Sequence, residues 1–370
     1  MVKKILYLCA DLRPVGPTRQ TLNIIKYSGV KDNGLVLTLF PEINESLKPL
    51  YESLGIRVEC LNLHRKLFIF NAVSAIKNFC QKENIAAIHS YGVKPDIVAH
   101  YAAKKIGIKH IITLRNFPME DLSGRMNPYV GKIIALIHLH ILKQCKYLIA
   151  CSKTIAAKMR EAYNVKITPI QNGVDIMEFN KGENTSKDFF HSNFRIKKES
   201  KIFICTNSFI PRKHNHDIAE AFIAANLKNA ELFFLGDGFL LEKMRAKYSK
   251  FTNIHFLGRR SDVRTFLQNA DCFISASESE GLPNAVLEAL ACGCPVLLSD
   301  IPQHREILDI LKNSGNIFEL SNIEELKSLI KNFPTKEFYG NIIENLRSSP
   351  FVVNIMGKIY SNYYSQVFKN

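Results

Sequence analysis

The sequence predicts an α/β protein with two doubly wound, Rossmann-like domains. Short apolar, strand-forming segments alternate with amphipathic helical segments, and this rhythm restarts at residue 201 after a polar stretch over residues 175–200. A chain of 370 residues, 46% of them hydrophobic, can bury two ordinary cores. Strands that are apolar throughout indicate parallel sheets covered on both faces, with ligands at the carboxyl ends of the strands in a cleft between the domains.

The first half predicts six strands and five helices. Each strand is a short apolar run rich in β-branched or aromatic residues, at 4–10, 35–40, 57–63, 86–90, 110–114 and 147–151. Each helix is an amphipathic pattern, at 18–27, 71–83, 94–106, 128–144 and 154–163. The second half repeats the strand signal at 201–206, 231–235, 254–257, 272–275 and 295–299. We therefore expect a first domain over 1–175 and a second over 176–350.

The net charge of +15 is concentrated in the first half of the chain. Residues 1–175 hold 25 Lys and Arg against 12 Asp and Glu, a balance of +13, whereas residues 176–370 hold 24 against 22, a balance of +2. A basic half suits nucleic acid, an anionic membrane surface or a phosphorylated acceptor, and it also fits an ordinary solvated surface. No basic helix interleaved with aromatic residues supports nucleic-acid binding.

The helical pattern over residues 129–143 is apolar at most positions, with Lys132, His138, His140 and Lys143 interspersed. Core packing is the default interpretation of such a pattern. The basic first half leaves a membrane-surface face open for this helix.

We expect a cytoplasmic protein without a membrane span. The apolar run over residues 5–10 has strand length, and the longest apolar helical stretch, over 133–142, contains two histidines and is short for a bilayer. The nine cysteines are scattered and form no Cys-x-x-Cys motif, which indicates reduced, buried thiols.

Motifs for a dinucleotide or a P-loop are absent. The first strand runs into residues 11–18 without Gly-x-Gly-x-x-Gly, and the lone Gly236-Asp237-Gly238 is a weak signal.

The most informative segment contains Glu280 and Glu288 on either side of a predicted helix start. Pro283 suits the first position of that helix, and the N–H groups of Asn284 and Ala285 would form an anion site there. Spacing alone leaves acid–base catalysis, metal binding and two helix charges open. An anion site for phosphate, flanked by two carboxylates that can accept hydrogen bonds from hydroxyl groups, is the arrangement expected for a site that binds a nucleotide sugar.

The chain resembles glycosyltransferase family 4, whose members are retaining enzymes of the GT-B fold, and it is similar to bacterial enzymes of cell-surface polysaccharide and O-antigen synthesis. The most specific likeness is the Glu-x7-Glu block in its setting, Ser277-Glu278-Ser279-Glu280-Gly281-Leu282-Pro283-Asn284. Supporting motifs follow in the family's order: Asn172-Gly173-Val174-Asp175, Leu235-Gly236-Asp237-Gly238, Phe256-Leu257-Gly258 and Ala270-Asp271-Cys272-Phe273-Ile274. The resemblance covers the second half well and the first half only in pattern.

The resemblance implies a donor site in the second domain. Glu280 would be catalytic, orienting the donor sugar, and Glu288 would bind the two ribose hydroxyls. The segment between them would bind sugar hydroxyls and the diphosphate through Gly281, Leu282, Pro283, Asn284 and Ala285.

A cationic clamp for the leaving diphosphate is also implied. Lys213 matches the family's lysine and would be catalytic, but Ser208 stands where relatives usually have arginine. Arg212 is the candidate replacement, although neighbouring side chains at a strand end usually point in different directions. The nucleotide base would lie near Gly258 and Arg259, beside Phe209.

In the first domain, Gly16 is similar to the glycine that approaches the donor phosphate, and Thr18 would cap the following helix. Arg115 and Asn116 follow a strand where many relatives carry a histidine, so Arg115 would hold an acidic or phosphorylated group. His89, at another strand end, is the alternative acceptor-site residue, although a lone histidine there is more often structural.

The resemblance thus implies an acceptor-binding domain over 1–175, onto which a helix at 351–370 packs back, and a donor-binding domain over 176–350. The expected reaction is retaining transfer from a nucleotide sugar, a UDP-sugar by family habit, to a glycan or lipid-linked acceptor in surface polysaccharide or lipopolysaccharide synthesis. Without an Asp-x-Asp motif we expect no metal and no cofactor. The expected location is the cytoplasm, with peripheral contact to the inner membrane face left open. The alternatives are a sugar-nucleotide epimerase, a glycoside hydrolase and a nucleic-acid-binding protein.

Overall fold

A computed structural model describes residues 3–65, 68–119, 128–179, 188–334 and 336–369. The chain forms two compact units. Unit 1 combines Met1–Gly173 with Val353–Asn370, and unit 2 is the continuous segment Val174–Val352. The polar stretch predicted over 175–200 contains two short helices, and its residues 180–187 lie outside the described part.

Unit 1 is a seven-stranded parallel sheet with the strand order β3-β2-β1-β4-β5-β6-β7. Its strands are β1 (Lys4–Cys9), β2 (Gly34–Thr38), β3 (Arg57–Cys60), β4 (Ile85–Ser90), β5 (Lys109–Leu114), β6 (Tyr147–Ala150) and β7 (Thr168–Pro169). Its helices are α1 (Gly16–Tyr27), α2 (Lys48–Ser53), α3 (Phe68–Lys82), α4 (Val93–Ile106), α5 (Pro128–Gln144), α6 (Lys153–Tyr163) and the last helix, α16 (Val353–Lys369).

Unit 2 repeats the plan as a six-stranded parallel sheet with the order β10-β9-β8-β11-β12-β13. Its strands are β8 (Lys201–Thr206), β9 (Ala230–Leu235), β10 (Ile254–Gly258), β11 (Cys272–Ser275), β12 (Val296–Ser299) and β13 (Gly315–Phe318). Its helices are α7 (Ile176–Phe179), α8 (Asp188–Phe194), α9 (Asn215–Ala225), α10 (Leu241–Tyr248), α11 (Val263–Asn269), α12 (Asn284–Ala291), α13 (Pro302–Leu308), α14 (Ile323–Lys331) and α15 (Ile342–Arg347).

The predicted fold class is confirmed, and β7 and β13 are the strands that the sequence did not predict. Both lie at sheet edges. The two residues of β7 are exposed, and β13 begins with Gly315 and Asn316, so neither has the apolar pattern of the central strands.

The first strand shows why the central strands are apolar throughout. Ile5 and Tyr7 pack on one face of the sheet with Tyr360 of α16, whereas Leu6 and Leu8 pack on the other face. Each strand therefore buries both sets of alternating side chains. In the part of the chain described here, no helix is both long enough and apolar enough to cross a bilayer.

The strand order fixes where ligands can bind. In unit 1 the crossovers change direction between β1 and β4, and in unit 2 between β8 and β11. Loops that leave the carboxyl ends of such neighbouring strands diverge and open a crevice. In unit 2 this crevice lies between the loops after β8 and β11.

Helix α16 packs closely against α1 through Gly357. A Cβ at that position would lie 2.2 Å from the carbonyl oxygen of Tyr27. Since that neighbour is backbone, no side-chain rotation relieves the clash.

We predict that Gly357→Ala destabilises the protein. Alanine gains about 1 kcal/mol of helix propensity, but overpacking against fixed backbone costs about 1–3 kcal/mol, so the free energy of unfolding should fall by up to about 2 kcal/mol. Urea unfolding measures this. Asn362→Ala, at an exposed position of the same helix, is the control and should not destabilise. A more stable Gly357→Ala variant would contradict the close packing.

Candidate functional site

The candidate site of unit 2 is formed by the two loops at its switch point. After β8 the chain passes through Ser208 and turns into a 3₁₀ helix, Pro211–Lys213. After β11 the chain runs to Glu280 and then to the start of α12. The backbone N–H of Glu278 donates to the carbonyl oxygen of Arg212 at 2.9 Å, which ties the two loops together.

A carboxylate with two cations lies at the centre of this site. The Lys213 ammonium donates a hydrogen bond to Oε1 of Glu280, and Nη1 of Arg212 lies 3.7 Å from Oε2 of the same carboxylate. Nη1 of Arg212 also donates to the carbonyl oxygen of Ser279 at 2.6 Å. Only 12% of the Lys213 side chain and 11% of the Glu280 side chain are exposed, so the pair is shielded from bulk water.

The sequence-based expectation that Arg212 and Lys213 point apart is wrong. It assumed that both residues continue a strand, where successive side chains alternate. They lie in a 3₁₀ helix instead, and both side chains reach Glu280. Ser208, at the position usual for arginine, is exposed, and its carbonyl oxygen accepts from Nδ2 of Asn215 at 3.3 Å.

The electrostatics keep Glu280 ionised. Burial alone raises the pKa of its carboxyl group, but the positive charges of Lys213 and Arg212 outweigh burial and lower that pKa to about 2. Glu280 is therefore a hydrogen-bond acceptor at neutral pH and is poorly matched to proton transfer there.

His304 is a neighbour of the site that the sequence analysis missed. It is fully buried in α13, with Nδ1 2.8 Å from the carbonyl oxygen of Ser299. Burial lowers the pKa of its imidazole to about 4, so the ring is neutral at pH 7. A positive charge on this ring would lower the pKa of the Glu280 carboxyl group further, so the two groups interact electrostatically. The one sequence signal was a histidine shortly after a strand end.

Helix α12 begins one residue later than predicted. Pro283 is its N-cap, with extended backbone at φ −73° and ψ 106°, rather than its first helical residue. The first turn starts at Asn284, so the N–H groups of this turn, that of Ala285 among them, point out of the helix start. Gly281 and Leu282 are buried in the loop just before this helix, and Glu288 is half-buried within α12.

The region expected to hold a nucleotide base lies at the end of β10. Gly258 ends that strand with a φ of +70°, and Arg259 follows it at the surface. The ring of Phe209 is buried against Phe234 and Phe256 at centroid distances of 5.9 and 6.0 Å, so the ring itself does not face solvent. The location of a base beside these residues stays a prediction.

The lone Gly236-Asp237-Gly238 motif has a packing role. A Cβ at Gly236 would lie 1.7 Å from the carbonyl oxygen of Asn207, and one at Gly238 would lie 2.5 Å from that of Phe209. These glycines let the backbone approach the loop that carries Ser208.

In unit 1, Gly16 is the first residue of α1, and Val15 is the N-cap. Thr18 therefore lies in the first turn rather than at the N-cap position, but it still caps the helix start: its hydroxyl accepts from the backbone N–H of Val15 at 3.2 Å. Ahead of this turn lies Asp11, which the sequence analysis did not single out. It is buried and binds Arg13 at 2.6 Å and Arg65 at 2.9 Å.

Arg115 and Asn116 lie just after β5 and are half-buried. Nη1 of Arg115 donates to the side-chain oxygen of Asn172 at 2.8 Å, and the guanidinium lies 5.8 Å from the ring centroid of Tyr91. Nε of Arg115 is buried with no hydrogen-bond partner in the described structure. An acidic or phosphorylated group at Arg115 stays a prediction.

His89 has a structural position, which corrects its assignment as an acceptor contact. It is 2% exposed, with Nδ1 2.8 Å from the Tyr364 hydroxyl and Nε2 2.7 Å from the Thr113 hydroxyl. Burial lowers the pKa of its imidazole to about 3. Both nitrogens are used inside the core, where they join β4, β5 and α16.

Comparison with known families agrees with these two units. The chain matches Glycosyltransferase Family 4 over residues 39–178 and Glycosyl transferases group 1 over residues 186–348. The chain belongs to glycosyltransferase family 4.

Individual glycosyltransferases and solved structures are similar along much or all of the chain. The Escherichia coli UDP-Gal:alpha-D-GlcNAc-diphosphoundecaprenol alpha-1,3-galactosyltransferase is 27% identical over 66% of this chain and 65% of its own length. The Escherichia coli O-antigen biosynthesis glycosyltransferase WclY is 24% identical over 99% of both chains. The crystal structure of Anabaena HepE in complex with UDP has a TM-score of 0.81 and 18% identity, covering 98% of this chain and 100% of that one. The expected GT-B fold is confirmed.

This family 4 member holds no group of three or more His, Cys, Asp or Glu side chains suited to a metal ion among the residues that the structure describes. The positive charge near Glu280 is supplied by Lys213 and Arg212.

We predict that the Glu280 ion pair gives stability that disappears in acid. The folded-state pKa of about 2 lies below the ordinary value of 4.5, so the stabilisation is present above pH 4.5 and is lost as the pH falls towards 2. Between pH 6 and about 3.5, the unfolding free energy of the wild type relative to Glu280→Gln should fall by about 1 kcal/mol.

Urea unfolding at several pH values measures this difference. Glu278→Gln, which alters a half-exposed carboxylate in the same loop, is the matched control and should show a smaller pH effect. A pH-independent difference between wild type and Glu280→Gln would contradict the ion pair.

Proposed function

We propose that this protein is a retaining glycosyltransferase that transfers a sugar from a UDP-sugar to a glycan or lipid-linked acceptor in bacterial surface polysaccharide or lipopolysaccharide synthesis. The observation that carries the proposal is the Lys213–Glu280–Arg212 cluster at the switch point of unit 2, where the loop after β8 meets the loop that leads into α12. In this proposal unit 2 binds the donor and unit 1 binds the acceptor.

The charges of the cluster suit a leaving diphosphate. Two cations against one carboxylate leave a net positive charge, and the start of α12 adds the partial positive charge of its N–H groups. Negative charge develops on the diphosphate as the bond from the anomeric carbon to the phosphate oxygen breaks, so groups fixed in this way stabilise the transition state.

Glu280 orients the sugar in this mechanism. Its low pKa and its two cationic partners make it a poor proton donor and a weak nucleophile. We therefore propose front-face attack, in which the acceptor oxygen bonds to the anomeric carbon on the side of the departing phosphate. The bonding electrons leave with the phosphate oxygen, which takes the acceptor's proton. Glu288 binds the ribose hydroxyls, and the segment from Gly281 to Ala285 binds sugar hydroxyls and phosphate.

The acceptor and the cellular location are inferred from the relatives and from charge. The first relative's name specifies a diphosphoundecaprenol-linked acceptor, and a Campylobacter jejuni relative, 26% identical, is an N,N'-diacetylbacillosaminyl-diphospho-undecaprenol alpha-1,3-N-acetylgalactosaminyltransferase. The balance of +13 over residues 1–175 suits a diphosphate-bearing lipid and an anionic leaflet. We place the protein in the cytoplasm, peripherally on the inner face of the membrane, and we propose no nucleic-acid partner.

We predict that UDP-sugars raise the melting temperature of the protein more than GDP-sugars do. The matched donor should then be consumed only when a polyprenyl-diphosphate-linked acceptor is added, and EDTA should not reduce the rate. Thermal shift and product analysis by mass spectrometry measure these effects, and NMR of the product reads the anomeric configuration. Donor turnover without an acceptor would support an epimerase or a hydrolase and contradict the proposal.

We predict that the clamp depends on both cations. Lys213→Ala should lower kcat about 10²–10³-fold, the scale for removing one group that stabilises a developing oxyanion. Arg212→Gln should lower kcat by at least about tenfold if Arg212 replaces the arginine missing at position 208. Steady-state kinetics with the matched donor measure both changes.

The control places arginine where relatives usually carry it. Ser208→Arg in the Arg212→Gln background should restore part of the lost rate, since position 208 is exposed and accepts a larger side chain. An unchanged rate in Lys213→Ala would remove Lys213 from the clamp. Full activity of Arg212→Gln would leave Arg212 as a positioning residue for the loop of Ser279.

A further inference from the structure

Helix α5 of unit 1 exposes apolar side chains to solvent, whereas a surface helix usually turns such side chains towards the core. Five large apolar side chains face solvent, with exposed fractions of 82% for Tyr129, 49% for Val130, 59% for Ile133, 50% for Leu136 and 45% for Ile137. At 100° per residue these positions fall within an arc of about 120° over the first three turns. They form one contiguous apolar face, which we call the α5 face.

The opposite side of the helix carries a buried polar anchor. His138 is 2% exposed, and its Nε2 lies 2.9 Å from Oδ2 of Asp96, a buried residue of α4. Oδ1 of Asp96 accepts from the Ser90 hydroxyl at 2.6 Å. Turning the α5 face inward would expose hydrophobic neighbours and break this buried pair, so the orientation is held by the fold.

The sequence around the α5 face is predominantly basic. Within α5, Lys132 and Lys143 are exposed along one edge of the arc, and Lys104 and Lys105 are exposed in the last turn of the packed helix α4. The sequence ranges 97–119 and 128–160 hold ten Lys and Arg and no Asp or Glu. Residues 120–127, which lie outside the described part, add two acidic residues and one arginine to the sequence between them.

We propose that the α5 face docks unit 1 on an anionic lipid surface, with the helix axis parallel to the membrane plane. An apolar arc with lysines along its edge is the pattern of an in-plane interfacial helix: the apolar side chains enter the headgroup boundary and the lysines contact lipid phosphates. The charge complementarity favours an anionic membrane over a second copy of this basic chain, which would bring like charges together. This deepens the proposed function, on which it rests, by assigning its membrane contact to a named surface.

The chain lacks tryptophan, which allows a direct test. Ile133→Trp places a single indole on the α5 face, and Phe338→Trp places one on an exposed site of unit 2, where Phe338 is 75% exposed. With vesicles of phosphatidylcholine and phosphatidylglycerol, Ile133→Trp emission should shift to shorter wavelength and be quenched by brominated lipid. Phe338→Trp emission should change in neither way. Equal responses from the two probes, or none from Ile133→Trp, would overturn the proposal.

Vesicle flotation supplies the second measurement. The double variant Ile133→Ser with Leu136→Ser should lower the apparent affinity for the anionic vesicles by about tenfold or more, because two buried side chains are lost from the interface. Lys132→Gln with Lys143→Gln should lower the preference for anionic over pure phosphatidylcholine vesicles. Phe338→Ser is the matched control and should bind as the wild type does. Unchanged binding by the serine variant would overturn the proposal.

Neither measurement uses catalysis, so the two proposals fail separately. Absent transfer activity with intact vesicle binding would leave the docking surface standing. Absent vesicle binding by a protein that still glycosylates a short-chain, water-soluble acceptor would remove the docking surface alone. Light scattering identifies the competing occupant: a dimer of the wild type that becomes a monomer in the serine variant would assign the α5 face to a second copy and overturn the lipid proposal.

Discussion

The ion pair between Lys213 and Glu280, joined by Arg212, is the interaction on which the rest of the candidate site depends. It connects two loops that leave different strands, and it keeps a shielded carboxylate ionised. A buried charge without a partner would be costly, so each member of the cluster requires the others. The backbone bond from Glu278 to Arg212 and the close approach of Gly236 and Gly238 then hold the loop that presents these cations.

The sequence predicted the two-domain architecture and the roles of Glu280 and Lys213, but it did not predict how the fold brings these two side chains together. The alternation of apolar strands and amphipathic helices predicted two parallel-sheet domains, and the setting of Glu280 and Lys213 predicted their shared site. The contact between them depends on β8 lying beside β11, and that order is a property of the crossovers that a local pattern does not contain. The 3₁₀ helix that brings Arg212 beside Glu280 could not be distinguished from a strand end either, because three residues are too few to show a helical pattern.

Buried polar residues were the harder class to interpret. A histidine at a strand end has the same sequence signal whether it binds a ligand or satisfies the core, and His89 does the second because its partners come from β5 and α16. Asp11 and His304 were missed because one neighbour of each, Arg65 for Asp11 and Glu280 for His304, comes from a segment far away in sequence. The edge strands β7 and β13 were missed because edge positions do not select for apolar residues.

Helix α16 has a consequence for the order in which this protein folds during synthesis. Unit 2 is a continuous segment, whereas unit 1 needs a helix that the ribosome makes only after all of unit 2. Until then Tyr7, the imidazole of His89 and the backbone beside Gly357 lack their partners from α16. Unit 2 can therefore complete its fold before unit 1 does. Until α16 is synthesised, one face of the seven-stranded sheet stays partly uncovered. We expect chaperones that bind exposed apolar surface to stay on unit 1 of the nascent chain for longer than on unit 2.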